Sequence, residues 1–222
     1  ETSGNSSAAI RSDRGGGTVN VSGGAYTSNG YNSPTVYSTA DITVKNANLT
    51  ANNSEALVIE GKNSITLEDC YATGNMSDTK GTSSSENVHN VMIYQSMSGD
   101  ADVGTSVFSM TGGSLVGSSG DMFYITNTHC LLTLSGVNIV NNDADGALLN
   151  CWAQDGRTPK EEILRNLSFD LTTARRLSQG YISTPHVESI FAGYYPWVVS
   201  VVRTVPGTAE KRWLSLDLSF TE

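Results

Sequence analysis

Positive charge is scarce in this sequence, because 13 lysines and arginines stand against 22 aspartates and glutamates, which gives a net charge of −9. A chain this acidic repels phosphate backbones and anionic lipid headgroups. Long apolar runs are missing too, since no stretch approaches the roughly 18 apolar residues of a membrane span. We therefore expect neither nucleic acid binding nor membrane insertion. The chain begins at Glu1 without a basic, apolar leader, and we expect a mature or excised fragment.

Charged residues of both signs make up only 16% of the chain, whereas glycine is plentiful at 22 residues. This composition favours a turn-rich β protein. A repeat then becomes visible in five segments that share one frame, residues 18–27, 41–50, 64–73, 106–115 and 131–140. The shared anchor positions are Val21, Val44, Leu67, Met110 and Leu134. Their spacings are 23, 23, 43 and 24 residues, so the long step is one repeat plus an insertion.

Apolar residues recur at fixed distances from each anchor. Two residues before it stand Val19, Ile42, Ile65, Phe108 and Leu132, and five after it stand Tyr26, Leu49, Ala72, Leu115 and Ile139. A third apolar strand follows in each repeat, at residues 35–38, 56–59, 91–94, 122–125 and 147–150. An antiparallel sandwich also has short, regularly spaced strands, but it has no reason to repeat one residue class at five registered positions. The sequence therefore predicts an all-β fold, a right-handed parallel β-helix of three sides and about five to six rungs over residues 1–150.

A column of polar residues lies eight positions past the anchors, at Asn29, Asn52, Asn75, Ser118 and Asn142. Asparagine tolerates the left-handed backbone region, and its side chain can bond to a neighbouring rung. We expect a stacked ladder that helps to set the register of the coil.

Residues 151–222 leave this frame. A capping box at Thr158 and Glu161, with Pro159 at the first helical position, predicts a helix, and residues 198–220 predict a hairpin. Two interpretations of this segment stay open, a true cap over the end of the coil and a divergent or out-of-frame tail.

Three cysteines, Cys70, Cys130 and Cys151, show no metal-ligand spacing. Cys130 and Cys151 are 21 residues apart, nearly one rung, which suggests neighbouring coils on the same side. Stacked strands hold Cβ atoms near ~4.8 Å, whereas a disulfide prefers roughly 3.8 Å. We expect three buried and unbridged thiols.

Four phrases of the sequence, SSAAIRSDRGGGTV, YSTADITV, NSEALVIEG and VMIYQSMSGDADVG, resemble bacterial secreted carbohydrate-binding domain proteins of the pectate-lyase-like β-helix class. The resemblance covers roughly residues 6–150. It implies an extracellular or cell-surface protein that binds polysaccharide, pectin-like or cellulose-like, with calcium in some members.

Aromatic platforms would serve such binding, because the apolar face of a sugar stacks on a ring. An outward apolar row is expected on the third strands at Tyr37, Val58, Ile93, Tyr124 and Leu149. Either this row is exposed, or a loop or the C-terminal segment covers it. The predicted carbohydrate-binding residues are Tyr37, Tyr71, Tyr94, Tyr124 and Lys45.

Two acidic loops are candidates for calcium. Asn141, Asp143 and Asp145 resemble the opening of an oxygen-ligand calcium loop, and Asp100 and Asp102 lie on the inserted loop. A solvated turn is the competing interpretation of each.

No catalytic residues are predicted. Lyase chemistry needs a cation and a base, for which only Lys45 beside Asp69 offers a pair, and hydrolysis would need paired acids such as Glu55 and Asp121. The function that we expect is a non-catalytic, monomeric polysaccharide-binding or adhesin-like module. The alternatives are a pectate-lyase-like polysaccharide lyase and a structural surface solenoid, the latter suggested by the Thr27, Thr50 and Thr73 column.

Overall fold

The computed structural model describes residues 1–12, 14, 16–77, 88–95, 101–127, 130–143 and 149–151. In chain order the strands are β1 (Ile10–Arg11), β2 (Thr18–Ser22), β3 (Ala25–Ser28), β4 (Val36–Ser38), β5 (Asp41–Lys45), β6 (Asn48–Ala51), β7 (Leu57–Glu60), β8 (Ser64–Glu68), β9 (Tyr71–Gly74), β10 (His89–Tyr94), β11 (Ser106–Thr111), β12 (Ser114–Gly117), β13 (Asp121–Ile125), β14 (Cys130–Ser135), β15 (Asn138–Asn141) and β16 (Leu149–Cys151). No helix occurs within these ranges. The helix and the hairpin predicted after residue 151 lie outside them.

The strands stack in three parallel sheets. The first sheet has the order β14-β11-β8-β5-β2, the second β15-β12-β9-β6-β3 and the third β1-β4-β7-β10-β13-β16. Five rungs contribute one strand to every sheet, β1 adds a sixth strand to the third sheet, and every neighbour pair is parallel. The predicted right-handed, three-sided parallel β-helix is confirmed.

The predicted inward columns are confirmed residue by residue. In the first sheet the anchors Val21, Val44, Leu67, Met110 and Leu134 are in register, as are the residues two positions earlier. From the second rung onward these side chains are fully buried, whereas Val19 and Val21 of the first rung are half-buried. Each buried aliphatic side chain stabilises the coil by about 1.5–3 kcal/mol. Alternating burial along the strands of the first and second sheets thus makes the interior of the coil its core.

Left-handed backbone occurs at the corner between the first and second sheets, and not at the asparagine column. The residue two positions past each anchor has a positive φ, at Gly23 (73°), Asn46 (53°), Asp69 (50°), Gly112 (66°) and Gly136 (65°). Only two residues connect the strands here, so the chain must bend sharply between them. Glycine, asparagine and aspartate tolerate this region best.

Asn29, Asn52 and Asn75 therefore do not adopt the left-handed conformation that we expected. Their corner has a longer connection and bends without it. The ladder itself is present, because the Asn52 side-chain amide donates to Asn29 Oδ1 at 2.6 Å and the Asn75 amide donates to the Ala51 carbonyl at 3.0 Å.

The expected outward row on the third sheet is wrong at two positions. In the observed register Tyr37, Val58, Met92, Tyr124 and Asn150 lie side by side. Ile93 belongs to the buried core, and Leu149 is in register with the core residue Phe123. The third strands are apolar at successive positions, so alternation in the sequence does not determine which face each residue takes.

The expected stacking of Cys130 and Cys151 is also wrong. Cys130 begins β14 of the first sheet, whereas Cys151 ends β16 of the third sheet. The residues between them run through all three strands of one rung and stop before the corner that would return the chain to the first sheet. Cys70 is a buried free thiol that lies 3.3 Å from the Val44 carbonyl, and burial raises its pKa. The number of unbridged thiols stays a prediction, because the side chain of Cys151 lies outside the described part of the chain.

Candidate functional site

An exposed tyrosine stands in the middle of the second sheet. Tyr71 begins β9, and it is in register with Asn48 of the rung before and Ser114 of the rung after. Strand alternation directs Tyr71 outward while Ala72 beside it is buried in the core. The Tyr71 side chain is 59% exposed, which makes it an accessible aromatic ring on a rigid, flat support.

Hydroxyl groups form the neighbouring column of the same sheet. Thr50 and Thr73 are in register, and both are half-buried, two residues along their strands from Asn48 and Tyr71. We name Tyr71, Asn48, Ser114, Thr50 and Thr73 together the Tyr71 face. Rungs lie about 4.8 Å apart, so this face combines one aromatic ring with closely spaced amide and hydroxyl groups that can donate and accept hydrogen bonds.

Lys45 lies across the corner from the Tyr71 face, at the end of a first-sheet strand. Its ammonium group contacts the Glu68 carboxylate at 2.7 Å, and register places the two residues opposite each other. The expected pairing of Lys45 with Asp69 is therefore wrong. The partner is the preceding residue, Glu68, because Asp69 lies in the left-handed turn that follows the strand. Both side chains are almost half exposed, so the pair contributes at most about 1 kcal/mol to stability.

Two of the predicted tyrosines meet on the outer face of the third sheet. The Tyr37 hydroxyl donates to the carboxylate of the buried Glu60, and it lies 2.8 Å from the Tyr94 hydroxyl. Because the Tyr37 hydroxyl hydrogen is used in the bond to Glu60, the Tyr94 hydroxyl is the donor in the second bond. Tyr37 and Tyr94 stand on either side of the strand that carries Glu60, so we name the three residues the tyrosine arch.

Burial and the neighbouring Glu60 raise the pKa of Tyr37, and burial and Tyr37 raise the pKa of Tyr94. Both phenols therefore stay protonated at neutral pH. The guanidinium of Arg11 lies 5.3 Å from the centre of the Tyr37 ring, a cation–π contact. These rings are half-buried and engaged within the protein, so they offer less surface to a sugar than Tyr71 does.

Tyr124 does not form an open platform. It is 2% exposed, packs with Val58 and Met92, and stacks on His89 with 5.3 Å between ring centres. Two alternatives were expected for this row, exposure or coverage by another segment, and the burial of Tyr124 fits coverage. The predicted residues are thus divided over three faces of the coil. Tyr37, Tyr94 and Tyr124 share one cluster on the third sheet, whereas Lys45 and Tyr71 lie on the first and second sheets near one corner.

The acids considered for hydrolysis do not form an open pair. Glu55 is fully buried and accepts a hydrogen bond from the Ser54 hydroxyl at 2.6 Å. Asp121 is in register with His89, which separates it from the Glu55 rung. A substrate has no access to the Glu55 carboxylate in this arrangement.

A small pocket near the first rung has no counterpart among the predicted sites. Its volume is about 100 Å³, and it is lined by Ser6, Ala8, Arg11, Asn32, Pro34 and Tyr37. Ligand pockets usually have volumes of about 300–1,000 Å³, so this one accommodates at most a small group. Arg11 lies beside Tyr37 because β1 pairs with the start of β4.

The predicted calcium residues are only partly described. Asn141 Oδ1 accepts a hydrogen bond from the Asp143 amide at 3.0 Å, and Asp143 Oδ2 accepts one from the Gly120 amide at 2.7 Å. The second of these contacts joins two successive rungs. Asp102 is exposed on its loop, and Asp100 and Asp145 lie outside the described residues. Within the described ranges no three His, Cys, Asp or Glu side chains are grouped as metal ligands, and the calcium site stays a prediction.

The described residues contain no helix that is both long and apolar enough to cross a membrane. Comparisons of the whole chain with protein-family models, with curated proteins and with solved structures found no match. The class that the fold defines is a three-sided parallel β-helix, and further assignment depends on its surfaces.

Proposed function

We propose that this chain is a non-catalytic polysaccharide-binding module of an extracellular or bacterial cell-surface protein, and that the Tyr71 face is its binding surface. The observation that carries the proposal is the 59% exposed Tyr71 ring on a flat parallel sheet, between Asn48 and Ser114. Sugars stack their apolar faces on such rings and exchange hydrogen bonds with neighbouring polar groups. The resemblance of residues 6–150 to carbohydrate-binding domain proteins of the pectate-lyase-like class supports the same function.

The Tyr71 face lies on the strands of a stacked sheet and not on a loop, and this favours ligand binding. Parallel strands hold the residues of the Tyr71 face in register, so little conformational entropy is lost when a ligand binds. Glu55 is buried and Lys45 is engaged by Glu68, so these two residues of the expected catalytic alternatives are occupied within the protein.

Retention on insoluble polysaccharides tests the proposal. We expect the wild type and Tyr71→Phe to be retained, and Tyr71→Ala to be released. Leu131→Ala is a matched control, because Leu131 is 42% exposed on the first sheet, away from the Tyr71 face. Equal retention of the wild type and Tyr71→Ala would exclude this binding surface. Parallel assays with a chelator test whether calcium assists, and loss of retention in the chelator is the result expected if it does.

A further inference from the structure

The residues of the Tyr71 face carry no formal charge. Its side chains are a phenol, an amide and three hydroxyls, and Tyr71 is in register with uncharged residues on both sides. The charge closest along the chain is Asp69, two residues before Tyr71, and Lys45 and Glu68 lie three residues before Asn48 and Tyr71 respectively. Since Lys45 and Glu68 form an ion pair at 2.7 Å, their charges compensate each other.

The rest of the chain is unfavourable for a polyanion. Its net charge is −9, and the corner beside the Tyr71 face also carries the exposed carboxylate of Asp69. A polymer with one carboxylate on every sugar would approach against this field and would find Lys45 already occupied by Glu68. An uncharged polymer pays no such cost, and it needs only ring stacking and hydrogen bonds.

The shape of the face is also that of an extended binding strip. The column that contains Tyr71 runs through Ala25, Asn48, Ser114 and Asn138 across five rungs. At about 4.8 Å per rung this column is about 19 Å long. A linear glycan that lies along the axis of the coil would place one ring on Tyr71 and its neighbouring sugars beside Asn48 and Ser114.

We infer that the Tyr71 face takes an uncharged, linear polysaccharide and not a uronate polymer such as pectate. This inference rests on the proposed function and names the substrate class of the same surface. Stacking on Tyr71 supplies the main contact, Asn48 and Ser114 supply hydrogen bonds, and the Lys45–Glu68 pair compensates its own two charges, so that Asp69 gives the adjacent corner a negative charge.

Titration calorimetry with two soluble ligands, cellohexaose and oligogalacturonate, tests the inference at low and high salt. We expect wild-type binding to cellohexaose with little salt dependence and no binding to oligogalacturonate. Tyr71→Ala should weaken cellohexaose binding about tenfold or more, and Tyr71→Phe should stay within about threefold, because the ring is kept. Leu131→Ala should leave cellohexaose binding unchanged.

Each other outcome has a distinct meaning. Salt-sensitive binding of oligogalacturonate that Lys45→Ala abolishes would overturn the inference and leave polysaccharide binding intact. Cellohexaose binding that Tyr71→Ala does not affect would overturn both the inference and the choice of face. Absence of binding to either ligand, together with no retention on any insoluble polysaccharide, would overturn the proposed function itself.

Discussion

Gly74 lies at an interior corner of the coil where a side chain cannot be accommodated. A Cβ atom on this residue would lie 2.0 Å from Asn90 Oδ1 and 2.8 Å from the backbone nitrogen of Ala56. The Asn90 amide is held in place by bonds to the Val116 carbonyl at 3.0 Å and to Met122 Sδ at 3.2 Å, so it cannot move freely. Gly74→Ala therefore forces a backbone or side-chain shift inside a close-packed core.

The expected cost of Gly74→Ala is about 1–3 kcal/mol of unfolding free energy, the usual range for overpacking. For a chain of this size that corresponds to a fall in Tm of roughly 2–12 °C. Gly117→Ala is the matched control one rung further along, because its Cβ would lie 3.3 Å from the flexible end of Met122. We expect that control to change stability by less than about 1 kcal/mol.

Asn90→Ala supplies the decisive comparison. In the preceding rung the same two register positions are occupied by Ala51 and Ala56, and that rung packs with both alanines fully buried. The double variant Gly74→Ala/Asn90→Ala removes the contact with Asn90 Oδ1 and retains the 2.8 Å approach to the Ala56 nitrogen, so Gly74→Ala should cost less stability in the Asn90→Ala background than in the wild type. Urea unfolding of the four proteins measures the coupling. If the two single effects simply add, the steric explanation is refuted.

Three further predictions concern titration and exposed charge. The raised pKa values of Tyr37 and Tyr94 mean that the tyrosine arch stabilises the fold fully below the ordinary tyrosine pKa of about 10, and that this contribution falls as pH rises above it. Urea unfolding from pH 8 to 11.5 should show a shallower alkaline loss in Tyr94→Phe than in the wild type, and equal slopes would contradict the assignment. Lys45→Ala should lower the unfolding free energy by less than about 1 kcal/mol, because its pair with Glu68 is exposed; a larger loss would show that the pair is structural. Thiol titration of the denatured, unreduced protein should return three equivalents, of which Cys70 is one, and a value of one would reveal a disulfide.

The coil and its register could be derived from the amino-acid sequence. Residues such as Val44, Leu67 and Met110 recur in one frame because stacked parallel strands place equivalent residues in equivalent surroundings. The inward columns of the first and second sheets follow from period-2 alternation, in which only one face of each strand is apolar. By the same alternation Lys45, one residue past the anchor Val44, and Tyr71, one residue before the inward Ala72, face outward.

Tertiary structure alone decided which of these outward residues are available to a ligand. The third strands are apolar on both faces, so their periodicity could not show that Met92 lies outward and Ile93 inward. The tyrosine arch joins residues from three rungs, and its hydrogen bonds depend on side-chain rotamers that a residue pattern does not encode. A repeat determines the register because it is a local property summed over many rungs, whereas exposure depends on every chain segment that packs nearby. For that reason Tyr71 and Tyr124, equivalent as sequence signals, differ in the folded chain as an accessible ring and a buried one.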